Sequence, residues 1–509
     1  MAYSIIHTER NGQRSHILID NITTLPAMFV SIYGMNELGN KALGTQENIL
    51  SSLRFFHEYY YKKHKTTFDF DFHTKTYNIS HFIEELDGFF HYLLTKQHLI
   101  DEQDIQPIGL LPLAISKANK TSYGAHIRNV GKFFRYLNDR YMNLRYQDMS
   151  PADASNSHLS NESNLKHKIK TFDKTKVSQN EPAHSYKSLE AQQSIELTNM
   201  LLPSTPEFVD TKSGELFEAV INPQNPFSEG FQQYRNYLIH RLMFNYGLRV
   251  GEVLLLMTDC IGESLPDANG DVHYILVVQN LPDDVLDPRK NPPSIKTIHS
   301  YRQIELTADD YIMLTIYMEQ YRAPLYEEKG LADHQILFIK GSGQLPPLTY
   351  DAVRSIYKTK IDPSFIALYP HYRNEKNRKI NYMCKITPHV GRHTWAYITL
   401  EFIYNELLKE NVMMAQDYGI SARMNGVLEP AVERLRTLGG WSITSNIPLK
   451  YAKRFLEIVS NKSNKQRTYR NDWQKAIPSS PNTPTESTFN PLRDNDNDYD
   501  EDIPFDIFD

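Results

Sequence analysis

The sequence predicts an α+β protein that is mainly α: a helical unit, then a larger and mostly helical unit carrying a small antiparallel sheet. Three observations point there. Over most of the chain, apolar residues recur three and four positions apart, the spacing of a helix face packed on a core. Strand-like patterns are confined to a short pair around Asn11-Gly12 and to the runs HYILVVQ and YRQIEL. Hydrophobic residues fill 40% of the 509 positions and charged residues 23%, enough to build sizeable cores. At roughly 150 residues per domain the length suggests two to four units.

Taken in order, residues 1–44 form an N-terminal arm. In it SIIHTE and SHILID face each other as a hairpin, because Asn-Gly accepts the positive φ of a two-residue turn. Residues 45–146 form the helical unit. One helix runs from Glu47 to Tyr61, and a second carries Ile83, Leu86, Phe89, Phe90, Leu93 and Leu94. A third places Ile127, Val130, Phe134 and Leu137 on one face, with Arg128, Lys132 and Arg135 near or across from it. The aromatics read as core, and the three basic residues as a solvated face or a phosphate-contacting one.

Residues 147–186 are rich in Ser, Asn, Lys and Asp, with hardly any large apolar residues. Such a stretch cannot bury enough surface to offset its ordering entropy and is predicted to be a disordered linker. Residues 187–475 hold the larger unit. Two helices, SLEAQQSIELTNMLL and FQQYRNYLIHRLMFNYG, precede the two strands, which a long Pro-containing excursion separates (NLPDDVLDPRKNPPSIKTIHS). Helices follow at DDYIMLTIYMEQYR, after Thr387, from Ala431 to Leu438 and from Lys450 to Val459. Residues 476–509 are rich in Pro, Ser and Asp and are predicted to be an exposed, disordered acidic tail.

Composition removes several classes of function. Two cysteines, Cys260 and Cys384, supply neither a disulfide framework nor a zinc ribbon and suit a reducing cytoplasm. No apolar run approaches the roughly 20 residues that span a bilayer, and MAYSIIHTERNGQR lacks the apolar stretch of a signal peptide. A cytoplasmic protein without a membrane partner is expected. The net charge of −6 taken whole disfavours nucleic acid, but the tail holds nine acids against Arg493, a net of −8. The body upstream therefore carries +2, which is compatible with DNA.

Four clusters carry candidate chemistry. They are Gly247-Leu248-Arg249-Val250-Gly251-Glu252 at a helix start, Ile295-Lys296-Thr297 with Ser300-Tyr301-Arg302 in the excursion, Thr387-Pro388-His389-Val390-Gly391-Arg392-His393-Thr394, and Leu438-Gly439-Gly440-Trp441-Ser442 with Tyr451 beyond it. Each has a plainer reading. An arginine three residues before a glutamate is usually a surface pair. His389 and His393 are spaced like zinc ligands, but Val390 stands where HExxH has Glu and no acidic or Cys ligands lie nearby, so no metal site is assigned. One tyrosine among 32 decides nothing alone.

Together, in this order, the clusters resemble the tyrosine recombinase, or phage integrase, family over about residues 186 to 470. GLRVGE is similar to its first arginine box, IKT to its hairpin lysine, TPHVGRHT to its His-x-x-Arg-His box, and GGW with Tyr451 to its final segment. The chain departs from the family in having Gly391 where Leu is usual and Trp441 where His is most common. The interval from Trp441 to Tyr451 is also one residue longer. The resemblance implies the DNA breaking-rejoining enzyme fold, with residues 45–146 as the core-binding domain and 187–475 as the catalytic domain. It further implies duplex DNA as partner, clamped between those domains with the linker crossing it, a homotetramer on DNA and accessory directionality factors. The location expected is the bacterial cytoplasm, at the nucleoid.

The residue types suit that chemistry. A phenol with a pKa near 10 attacks phosphorus only beside positive charge or a base. The resemblance makes Tyr451 the nucleophile. Arg249 and Arg392 would grip the non-bridging oxygens through their forks, each contributing about 3–4 kcal/mol by analogy with an oxyanion donor. Lys296 would protonate the departing 5′ oxygen, and His389 would donate to the phosphate or accept the tyrosine proton. Trp441 has only an indole N–H to offer. Glu252 would orient the basic cluster and His393 would support the nucleophile region, while Arg128, Lys132 and Arg135 are the candidate DNA contacts of the helical unit. The constellation calls for no cofactor, since the phosphotyrosyl bond keeps the energy of the broken linkage. A type IB topoisomerase or telomere resolvase shares this logic, and a catalytically inactive DNA-binding relative would keep the fold alone. The motif shapes and the retention of all six positions favour the integrase reading.

Overall fold

The computed structural model describes residues 2–476 apart from 11–12, 96–116, 174–186, 206–207, 210–215, 218, 283–284, 286, 291, 296–297, 375–381 and 419–425. Two units divide the chain, residues 1–448 and 449–509. The first unit contains two hydrophobic cores.

The N-terminal core begins with the hairpin of β1 (Tyr3–Arg10) and β2 (Gln13–Asp20), registered from Tyr3↔Asp20 to Arg10↔Gln13 as the Asn-Gly turn predicts. Helices α1 (Met28–Tyr33), α2 (Leu43–His64), α3 (Phe68–Thr74), α4 (Ser80–Ile83), α5 (Glu85–Leu94), α6 (Lys117–Arg140) and α7 (Met142–Arg145) follow. Ile127, Val130, Phe134 and Leu137 of α6 are fully buried with Phe56, Phe68 and Phe89, so the predicted aromatic stripe is core. Arg128, Lys132 and Arg135 recur at i, i+4 and i+7 and therefore share one face of α6; Lys132 and Arg135 are exposed and Arg128 half-buried.

The expected disordered linker is corrected by α8 (Pro151–Asp173). Ser150 caps it, its Oγ accepting the Asp153 N–H at 3.2 Å, and Pro151 opens the first turn. Leu165 and Phe172 join the N-terminal core, with Ile169 packed against it. Three apolar residues at i, i+4 and i+7 make a stripe that average composition conceals. Lys168 adds contacts to Glu84 and Asp87. The remainder of that predicted linker, residues 174–186, and the acidic tail from residue 477 lie outside the described residues.

The second core includes residues of α9 (Ala191–Leu201), α10 (Gly230–Phe244) and α11 (Val250–Val253), and the two-residue strands β3 (Phe208–Val209) and β4 (Leu216–Phe217) lie between α9 and α10 in the chain. A three-stranded antiparallel sheet follows, in the order β5 (Ile261–Glu263), β6 (Tyr274–Val278), β7 (Arg302–Leu306). HYILVVQ and YRQIEL thus pair as predicted, from Tyr274↔Leu306 to Val278↔Arg302. Helices α12 (Ala308–Ile316), α13 (Ala323–Lys329), α14 (Tyr350–Ile356), α15 (Asp362–Leu368), α16 (Pro388–Tyr418) and α17 (Leu428–Leu438) complete the first unit. The last helix, α18 (Ile447–Ala476), carries the chain into the second unit.

The excursion between β6 and β7 is pinned at residues 287–289. Arg289, buried, forks onto Asp287 and donates to the carbonyls of Leu254 at 2.9 Å and Leu348 at 3.0 Å. Arg14 of the hairpin donates to the Arg289 carbonyl at 2.9 Å and the Asp287 carbonyl at 3.0 Å. The N-terminal arm and the excursion are therefore directly joined.

Candidate active site

The site starts at the turn after α10. Gly247 takes φ +67, and a Cβ there would lie 2.2 Å from Trp395 Cδ2, so both conformation and packing require glycine. The turn delivers Arg249 to the N-cap of α11. Its backbone N–H donates to Glu252 Oε2 at 3.0 Å, folding the carboxylate back over the helix start.

Three guanidinium groups surround that carboxylate. Arg249 Nη1 donates to Glu252 Oε1 and, at 3.1 Å, to Ser300 Oγ. Arg302 Nη2 donates to Oε2 at 3.0 Å, and Arg392 Nη1 stands 3.8 Å from the same oxygen. The Glu252 side chain is only 2% exposed. Burial pushes its carboxyl up, but Arg302, Arg392 and Arg249 more than reverse this and hold it below the usual carboxylate range. It is ionised at neutral pH. Three cations facing one anion leave a local excess of two positive charges.

Arg392 gathers the segments that make the site. Its Nη1 donates to the Gly247 carbonyl and its Nη2 to the Gly439 carbonyl, tying the turn before Arg249 to the turn before Trp441. The Trp441 ring lies 4.3 Å from the guanidinium carbon, a cation–π contact, and packs on Trp395 at 6.0 Å between centroids. Gly440, at φ +61, lets this turn close: a Cβ would come 2.8 Å from the His299 carbonyl oxygen.

His389 and His393 sit one turn apart on α16, with Nε2 atoms 2.8 Å from each other. Burial first, then His389, Lys187 and Arg392, push His393 down to about 4. It is neutral at physiological pH, so it can accept the His389 Nε2–H. Among the described residues, no three His, Cys, Asp or Glu side chains are grouped as metal ligands.

Of the residues expected from sequence, Arg249, Glu252, Arg392 and Trp441 converge, and His389 and His393 flank Arg392 on the same helix. Tyr451 is half-buried on α18, in the second unit. Lys296 lies outside the described residues; on either side of it, Ile295 N–H donates to Asn280 Oδ1 at 2.9 Å and Ser300 accepts from Arg249. Arg128, Lys132 and Arg135 lie on α6 of the N-terminal helical unit, outside this cluster. Ser300 and Arg302 are part of the cluster although sequence reasoning assigned them no role. The available signal was an arginine at the strand start that closes the excursion.

No family model matches the chain, and no curated protein matches it. Among solved structures it is similar to the XerH site-specific recombinase bound to its difH substrate in a pre-cleavage complex. The identity is 14% and the TM-score 0.27, over 72% of this chain and 94% of that one, a likeness too slight to add to the geometry above. Among the described residues, no helix is long and apolar enough to cross a membrane.

Proposed function

We propose that this protein cuts and rejoins duplex DNA by transesterification, as a site-specific recombinase or integrase. The observation that carries the reading is the convergence of Arg249, Arg302 and Arg392 on the buried Glu252 beside Trp441. A fixed cationic cluster with forked donors suits a single phosphodiester.

In this reading the forks of Arg249 and Arg392 hold the non-bridging oxygens, and the Trp441 indole N–H adds a further donor. The Tyr451 oxygen forms a bond to phosphorus as the bond from phosphorus to the 5′ oxygen breaks. Lys296 gives a proton to that leaving oxygen, and the phenol proton passes to His389. The 5′ hydroxyl of another strand then reverses the steps and releases the tyrosine. Each bond broken is replaced by one of the same kind, so no nucleotide is consumed. Duplex DNA is held between the two cores of the first unit, with Arg128, Lys132 and Arg135 on its backbone, and four protomers assemble on two DNA segments. Accessory factors set the direction, and the protein works in the cytoplasm at the nucleoid.

A suicide duplex nicked beside the cleavage site tests this. Wild-type protein should form an adduct that survives SDS, while Tyr451→Phe should bind the duplex and form none. An adduct with the Phe variant would displace Tyr451 as nucleophile, and duplex binding without any wild-type adduct would leave a DNA-binding relative instead.

A further inference from the structure

We propose that Arg302 is a positioning residue of this site. Its guanidinium holds Oε2 of Glu252, whose Oε1 Arg249 already contacts, so that Arg392 stays on its two carbonyls and available to a phosphodiester instead of being drawn onto the carboxylate. The inference rests on the phosphodiester reading above.

Arg302 is the first residue of β7, held opposite Val278 by the strand register. Its side chain is 9% exposed and directed into the cluster rather than to solvent. Nη1 donates to the Ser300 carbonyl at 2.9 Å and Nη2 to Glu252 Oε2 at 3.0 Å. Gly440 is shaped around it as well, since a Cβ there would approach Nη1 to 3.2 Å. The strand, the excursion and the tryptophan turn thus fix a guanidinium whose charged partner is Glu252.

The distances at Glu252 define the role. Its Oε2 lies 3.0 Å from Arg302 but 3.8 Å from Arg392, so the close contact belongs to the arginine that starts the strand. A buried carboxylate needs a counter-charge at short range. Without Arg302, the nearest cation able to serve Oε2 is Arg392, and moving there would draw it away from phosphate. Arg302 thereby affects the substrate through Glu252 and without touching it.

The test compares wild type with Arg302→Gln, Arg302→Lys, Glu252→Gln and the Arg302→Gln/Glu252→Gln double variant, all in the full chain. Two measurements are made on the nicked duplex: single-turnover adduct formation at saturating DNA, and duplex affinity. Arg302→Gln should slow adduct formation about 100-fold, the scale of losing one charge-stabilising donor, while affinity changes about 3-fold or less. Arg302→Lys should recover about tenfold of that loss, and it keeps the test open if the Gln variant does not fold. The double variant should react faster than Arg302→Gln, because an uncharged residue 252 no longer attracts Arg392. Losses that simply multiply would overturn the proposal and leave Arg302 with a packing role. The melting temperature with inorganic phosphate is a readout independent of cleavage. Phosphate should raise it in wild type and the double variant and much less in Arg302→Gln, even if wild type never cleaves DNA. Equal rises in wild type and Arg302→Gln would reject the inference whatever the fate of the strand-transfer reading.

Discussion

The ring of Phe244 fills the space that a side chain on Gly391 would need. A Cβ there would lie 2.7 Å from both Cδ2 and Cε2 of the ring and 3.0 Å from the Met243 Cβ. Phe244 is held in turn by stacking on His240, with centroids 4.2 Å apart. This contact seats α16 on α10 one residue before Arg392. It also accounts for a glycine where the resembled family usually has leucine: the volume comes from the facing helix.

Gly391→Leu should therefore destabilise the chain by about 1–3 kcal/mol through overpacking. Combining it with Phe244→Ala should cost less than the sum of the two single changes, because the cavity from one receives the bulk of the other. Urea midpoints of the four proteins check this; strictly additive losses would show that residues 244 and 391 do not share that space.

The Trp441 ring lies against Arg392, and in the proposed reaction its indole N–H is a separate donor to the phosphate. Trp441→Phe keeps a ring for the guanidinium and removes the donor, whereas Trp441→Ala removes both. The Phe variant should melt close to wild type yet form the covalent adduct about tenfold more slowly. The Ala variant should lose stability as well, by about 3–5 kcal/mol. An unchanged rate in the Phe variant would assign Trp441 to support of Arg392 alone.

Helix α8 should behave as part of the N-terminal core. Leu165→Ala should cost about 2–5 kcal/mol, the range for a buried leucine. Leu159→Ala on the same helix should cost little, since Leu159 is 57% exposed. Hydrogen exchange should find amides of α8 protected along with those of α6, and free exchange across residues 151–173 would contradict the packing.

Stability should fall as pH drops from about 6.5 to 4. Burial holds His240 down to about 3, and burial with nearby positive charge holds His393 down to about 4. In that window the unfolded chain binds protons that the folded chain refuses, at up to about 1.4 kcal/mol per pH unit for each group. The loss levels off for His393 below about pH 4 and continues lower for His240. Replacing His240 with Leu should flatten the stability profile between pH 4 and 6.5, as read from denaturant midpoints. A slope matching wild type would remove His240 as a contributor.

Much of the fold is legible in the sequence because helix and strand patterns are local. The spacing of Ile127, Val130, Phe134 and Leu137 marks one buried face wherever the helix ends up, and the Asn-Gly pair in the sequence predicts a two-residue loop, with which the Arg10↔Gln13 pairing agrees. Composition fails at α8, where a polar average hides the three apolar residues that dock it. At the site, the resemblance carried by the ordered boxes names Arg249, Glu252, Arg392 and Trp441, four residues that the structure brings together.

The amino-acid order dictates an inventory: which residue types are present, in what succession, and which local face each one rides on. Packing alone settles which of them meet. Arg392 reaches the carbonyl of Gly247 across 145 positions, and Arg302 comes to Glu252 only through the pairing of β7 with β6. Periodicity reports on neighbours a few residues apart, whereas a charge cluster depends on how distant segments pack and on which cation stands closest to a buried anion.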